Sequence, residues 1–451
     1  MKQTLFLLLV LTAFALRAQE PMQYRIVPVG SSQWMNPELS DEVREQIDRI
    51  AADGYNVISV GTFTFLPMHI VDYADSPYPE AAEYTPEKVA RNLAALRKNI
   101  SYAKSRGIRY VVTRSYSHYA PYKFWCAHQQ ELNPDGVFDR LLRKAHQNDM
   151  FQKALAGKSP NCVPQQQWTN DLFRDFFLWS TSRALDLLPE LDGFLNAYAE
   201  AAWTYDIEKV RSDTWKSWKE CVDYDKTDSC FVDYSNRLAH MLREKRGDDW
   251  FFGMRDKLVL SVKYAGYDQP LVNYPPWGKQ MLDEGYGVVL DMHVYDAEYP
   301  HPLYWYDNDI VNRIFDNVRA GGFTGIVYQD YTLRGEDSAD NPVRRLTQLT
   351  VAGAMNRKPW SDADAEKYLA KTYRKAAPHV LQSLKAAAHA QEQFIKLMPA
   401  WFWRGDGLSV GGLQPLQFWQ MFDNPEAPAG MAFVRQEAVG VPEYCTAWRT
   451  G

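Results

Sequence analysis

Asp192-Gly-Phe-Leu-Asn-Ala-Tyr-Ala-Glu200 is a short apolar run that ends on a carboxylate. Two later segments repeat the pattern: Leu258-Val-Leu-Ser-Val-Lys-Tyr-Ala-Gly-Tyr-Asp268 and Gly287-Val-Val-Leu-Asp-Met-His-Val-Tyr-Asp296. Short β-rich runs bounded by turn residues predict strands, and their alternation with helical runs from about residue 24 to 355 predicts a parallel α/β fold. In a β/α barrel the C-terminal edge of the strands is where chemistry is placed. Carboxylates delivered repeatedly to that edge point to glycosidic bond cleavage.

Working outward, Tyr24 to Val29 reads as the first strand. A helix follows from Asp41, with Ser40 as N-cap, Val43, Ile47 and Ile50 at helical spacing, and Gly54 as its stop. Asn56 to Phe65 is the second strand. Thr85-Pro86 opens a helix that carries Val89, Leu93, Leu96, Ile100 and Ala103 as far as Gly107. Ile108 to Ser115 is the third strand. A long connection from Tyr116 to about Gln167, with little periodicity and both Cys126 and Cys162, suits an active-site loop. The helix Asn170 to Leu188 leads into the strand that ends at Glu200, and Phe231 to Arg246 is a further helix. Trp250 to Arg255, Leu258 to Tyr264, Val288 to Val294 and Thr324 to Gln329 supply strands five to eight. Eight strands with intervening helices predict a (β/α)8 TIM barrel over residues 19–358. A doubly wound open sheet competes, but no Gly-rich phosphate turn follows the first strand. From Trp360 onward only helical patterns appear, Ser361 capping a run through Tyr373 and Val380 to Leu397 continuing it, so residues 359–451 form a helical C-terminal extension.

Met1 to Ala18 has a lysine at position 2 and an apolar run from Leu5 to Leu16, followed by Arg17-Ala18-Gln19, which fits a secretory signal peptide cleaved near Ala18. The run is too short to span a bilayer. The mature chain is therefore expected to be exported, periplasmic or extracellular, with no membrane span. Five cysteines leave at least one outside any disulfide, and pairing is not readable from spacing. A net charge of −6 argues against a nucleic-acid partner, which calls for a clustered basic surface. Fifteen Trp and 27 Tyr suit either sugar stacking or a large aromatic core.

Glycosidic cleavage needs a proton donor to the leaving oxygen and a second carboxylate that activates water or attacks the sugar. Glu200 is the candidate acid, because the small apolar Ala199, Ala201 and Ala202 around it favour a protonated carboxyl. Asp268 and Asp296 are the base candidates, with Glu298 and Asp291 as competitors. Lys263, inside an apolar strand, must either pair with an acid or reach the barrel mouth and hold a substrate carboxylate. Arg114, His118, Tyr198, Arg255, His293 and Asp330 fall at or near strand C-termini and are candidates for contacting sugar hydroxyls. No zinc-like Cys or His spacing, Gly-x-Ser-x-Gly elbow or phosphate loop occurs, so no cofactor or metal is expected.

At these residues the chain resembles the α-glucuronidase family of glycoside hydrolases, inverting enzymes that release glucuronic or 4-O-methylglucuronic acid from xylan fragments. Gly193-Phe-Leu-Asn-Ala-Tyr-Ala-Glu200, Ser261-Val-Lys263 with Asp268, Gly321-Gly-Phe-Thr-Gly-Ile-Val-Tyr328 and Ala352-Gly-Ala-Met-Asn-Arg-Lys-Pro-Trp360 carry the likeness, over roughly residues 24 to 375. The resemblance implies that Glu200 is the general acid, that Asp268 and Asp296 position and activate water, and that Lys263 and Arg255 hold a uronic carboxylate. The expected activity is hydrolysis of a uronic-acid-containing polysaccharide or oligosaccharide, with inversion. The alternatives are a retaining enzyme with a nucleophile on the seventh strand, and a glycan-binding barrel without catalysis.

Overall fold

The computed structural model describes residues 21–29, 41–60, 67–114, 121–133, 136–137, 170–196, 205–216, 218–247, 259–264, 276–285, 287–292, 306–328 and 341–397. The predicted signal peptide and residues 398–451 of the predicted extension lie outside them. In chain order the elements are β1 (Tyr24–Val29), α1 (Asp41–Ala52), β2 (Val57–Val60), α2 (Pro67–Ile70), α3 (Pro86–Ser105), β3 (Arg109–Arg114), α4 (Tyr122–Ala127), α5 (Gln129–Leu132), α6 (Asp171–Leu187) and β4 (Gly193–Asn196). They continue with α7 (Ile207–Ser212), α8 (Tyr224–Arg246), β5 (Val259–Tyr264), α9 (Pro276–Asp283), β6 (Gly287–Met292), α10 (Asn308–Ala320), β7 (Gly325–Tyr328), α11 (Pro342–Met355), α12 (Asp362–Tyr373) and α13 (Ala377–Leu397). The predicted fifth strand, Trp250 to Arg255, lies outside the described residues. Seven strands are therefore described where the sequence predicts eight.

The chain falls into two compact units, Met1–Val27 with Ala52–Tyr55 and Val259–Gly451, and Pro28–Ala51 with Asn56–Leu258. In the first unit β1 pairs with β7, β7 with β6 and β6 with β5, all parallel. The first described strand thus lies beside the last described one. The strands are largely apolar because parallel strands are covered on both faces; Val288, Val289, Leu290, Ile326 and Tyr328 are all buried. Helices α11, α12 and α13 share a core of Tyr306, Val343, Leu346, Leu369, Leu381 and Leu384. The described helices beyond Trp360 are packed against the fold by apolar burial.

In the second unit β2 pairs with β3 and β3 with β4, again parallel. Thr85 caps α3, its Oγ1 accepting from Lys88 N at 3.4 Å, with proline at the first position. Asn170 caps α6 in the same way, accepting from Phe173 N at 3.3 Å. Helix α8 begins at Tyr224 rather than at Phe231, because Asp223 supplies an N-cap that accepts from Lys226 N at 2.9 Å. Similarly, the connection expected to be irregular after Tyr116 contains α4 and α5. Their aromatics explain this: Phe124 and Trp125 are fully buried, and Phe124 stacks on Phe176 of α6 at 4.0 Å between centroids. Packing across helices overrides the weak periodicity there.

Candidate active site

Asp192, the first residue of the motif that suggested a barrel, is a joint between strands. Its Oδ2 accepts from Tyr110 N at 2.9 Å, its own N–H donates to Tyr110 O at 3.0 Å, and Lys104 lies 3.1 Å from its other oxygen. This sets the register of β4 on β3, in which Val111 opposes Gly193 and Arg114 opposes Asn196. Both strands therefore end level.

The candidate residues follow these ends in the chain. Glu200 stands four residues beyond Asn196 and His118 four beyond Arg114. In the other unit Tyr264 of β5 opposes Met292 of β6, which opposes Tyr328 of β7. Asp268 is four residues beyond Tyr264, Asp296 four beyond Met292 and Asp330 two beyond Tyr328. Four residues reach at most about 14 Å of chain. Within each unit the described strands are parallel and end level, and the candidate residues follow those ends in the chain.

Glu200, Asp268 and Asp296 themselves lie outside the described residues, as do His118, Tyr198, Arg255, His293, Glu298 and Asp330. Three candidates stand on described backbone: Arg114 closes β3, while Lys263 in β5 and Asp291 in β6 are direct register partners. A lysine and an aspartate are thus level in the register of neighbouring strands.

Comparison with known proteins comes from structure alone. No protein-family model matches the sequence, and no curated protein matches it significantly. Among solved structures, the chain is similar to a GH138 enzyme described as targeting pectin rhamnogalacturonan II, at a TM-score of 0.50 and 12% identity over 84% of this chain and 45% of that one. The chain thus spans less than half the length of that protein. It is also similar to a glycoside hydrolase family 20 β-N-acetylglucosaminidase (TM-score 0.42, 13% identity, 81% and 76% covered). A third similarity is to the endo-β-1,4-mannanase from Thermotoga petrophila (TM-score 0.41, 11% identity, 75% and 77% covered). The first of the three, at 0.50, shows a shared fold.

The described part of the predicted active-site loop carries His128. Its Nε2 lies 2.7 Å from Glu80 Oε1 and its Nδ1 3.2 Å from Glu131 Oε2, with the Phe124 ring against it. Tyr78, in the same cluster, has its hydroxyl pKa pushed up by burial, then by the charges of Asp175 and Glu80. Cys126 is disulfide-bonded, whereas Cys221 and Cys230 carry thiols. Among the described residues no group of His, Cys, Asp and Glu is disposed to hold a metal ion, and no helix is long and apolar enough to cross a membrane.

Two glycines of the quoted motifs have structural reasons. A Cβ at Gly325 would lie 2.2 Å from Tyr24 O, so β1 and β7 can approach only without one. A Cβ at Gly353 would lie 2.5 Å from Lys358 O and 2.7 Å from Trp360. The sequence reading missed a further residue between these motifs: Arg344, in the first turn of α11, is 7% exposed.

Proposed function

We propose that this protein is a glycoside hydrolase acting on a polysaccharide or oligosaccharide that contains uronic acid. The observation that carries the reading is the succession in the chain of acids after parallel strands, four residues beyond each: Glu200 after β4, Asp268 after β5 and Asp296 after β6. The fold shared with an enzyme described as targeting pectin rhamnogalacturonan II supports it. In the proposed reaction Glu200 protonates the leaving oxygen, and Asp268 and Asp296 position and deprotonate the attacking water, inverting the anomeric centre. Arg114, His118, Tyr198, His293 and Asp330 contact sugar hydroxyls, and Lys263 and Arg255 lie toward the substrate carboxylate. The strands belong, in this reading, to a (β/α)8 barrel. Export fits the disulfide at Cys126, since such bonds persist in oxidising compartments.

The test is sugar release from a panel of pectic, xylan and algal polysaccharides by wild type and by Glu200→Gln, which keeps the shape but has no proton to give. Release lost by a factor of about 10² to 10⁴ in the variant is expected for a general acid. Release that survives unchanged removes Glu200 from the mechanism. Binding without release by the wild type identifies a glycan-binding barrel instead.

A further inference from the structure

Arginines inside this fold are provided with acceptors. Arg345 holds Asp53 through two bonds of 2.5 and 2.7 Å, and Arg25 donates to Gly54 O at 2.6 Å and to Met22 O. Arg246 donates to Leu185 O and Leu188 O at 2.5 and 2.8 Å, and Arg319 donates to Ala354 O. Arg344 is the exception. It is 7% exposed, its Nε is buried without a hydrogen-bond partner, and no ion pair or side-chain hydrogen bond reaches its guanidinium among the described residues. A buried charge without a counter-charge is among the costliest features a fold can carry, so one that persists has a use.

Its place in the fold says where the missing anion comes from. Met22 N–H donates to Met355 O at 3.1 Å, which puts the C-terminal end of α11 beside the start of β1. Helix α11 follows β7 and returns to the N-terminal edge of the parallel strands; its 14 residues rise about 21 Å. Its first turn therefore lies toward the C-terminal strand edge of its own unit, where β5, β6 and β7 end level. Asn341 caps that turn, accepting from Val343 N at 3.0 Å and Arg344 N at 3.2 Å, and no acid occupies it. The positive end of the helix dipole and a guanidinium coincide there, which repels cations and attracts an anion.

We propose that Arg344 binds the carboxylate of the substrate's uronic acid, taking it in the two-pronged geometry that guanidinium and carboxylate share. This rests on the anionic-glycan reading above and adds a specificity-determining residue to it. Lys263 and Arg255 then need not carry that contact alone.

The experiment is a titration of the full chain with galacturonate, glucuronate and neutral galactose, followed by ligand-detected NMR, with thermal melting of each variant. Wild type is expected to prefer a uronate over galactose. Arg344→Met is expected to lose that preference, weakening uronate binding by about 30-fold, while the ligand-free melting temperature stays at or above wild type because a buried charge is gone. Arg344→Lys, which keeps the charge and the fold but not the fork, is expected to fall between them. Uronate binding unchanged in Arg344→Met or Arg344→Lys overturns the inference, as does a wild type that does not distinguish uronate from galactose. A protein that binds uronate through Arg344 and cleaves no glycan keeps this inference and loses the hydrolase reading. One that cleaves neutral glycans and ignores uronates does the reverse.

Discussion

Gly325 shows how much a single residue decides. A methyl group there would collide with the Tyr24 carbonyl on the neighbouring strand, a backbone atom that cannot turn aside. Gly325→Ala is expected to cost about 3 kcal/mol, read as a lowered urea midpoint, whereas Gly322→Ala is strained only by its φ of +86° and meets nothing within 4 Å. Asp53 is a second such position. Its carboxylate is 5% exposed and held bidentately by Arg345. Removing the charge as Asp53→Asn leaves a partly buried guanidinium and should cost about 3 kcal/mol by the same measurement. The motif residues Gly325, Gly353 and Trp360 were conspicuous in the sequence as part of a resemblance, but the close approaches that require glycine were not. Arg344 was invisible for the opposite reason: a helical arginine reads as a surface residue, and only burial makes it notable.

At the scale of elements, the sequence was most informative where local physics decides alone. Caps at Thr85, Asn170 and Ser361 were legible because short polar side chains bond the first turn irrespective of what lies beyond it; Asn170 was read as the helix start, and Ser361 forms a capping box with Asp364. Helices α4 and α5 were not legible, since Phe124 and Trp125 find their partners on α6, far along the chain. The joint of α10, α12 and α13 is likewise non-local. Lys385 of α13 lies 2.8 Å from Asp362, 2.9 Å from Asp309 and 3.7 Å from Asp307. Burial works against its charge, but the hydrogen bonds to Asp362 and Asp309 prevail and its pKa is raised. The same bond from Lys385 lowers the Asp362 pKa below its usual 3.8. A depressed carboxylate contributes stability that is present above pH 3.8 and is lost as pH falls through the lowered value. Lys385→Met should therefore cost about 1 kcal/mol at neutral pH, and the gap to wild type should narrow in urea melts below pH 3.8.

For the whole molecule, parallel α/β architecture was legible because the alternation of strand and helix runs the length of the fold. The pairing of β1 with β7 was not: it joins residues about 300 apart, and no local pattern announces it. The candidate acids were chosen by their distance from strand ends along the chain, and they lie outside the described residues. With Cys126 bonded and Cys221 and Cys230 as thiols, a thiol titration of the unfolded, unreduced protein should return three of the five cysteines. Five would mean that the chain matures in a reducing compartment.

The unit that contains β1 is assembled from three separated stretches of sequence, and its last partner strand lies beyond residue 320. On the ribosome, Tyr24 to Ile26 leaves the exit tunnel about 300 residues ahead of Gly325 to Val327, and the edge that takes them stays open until they follow. At roughly 5–20 residues per second that wait lasts on the order of 15 to 60 seconds. A strand edge kept open that long is a site for mispairing, so cells making this protein need a holdase or a slow export route more than its final stability would suggest.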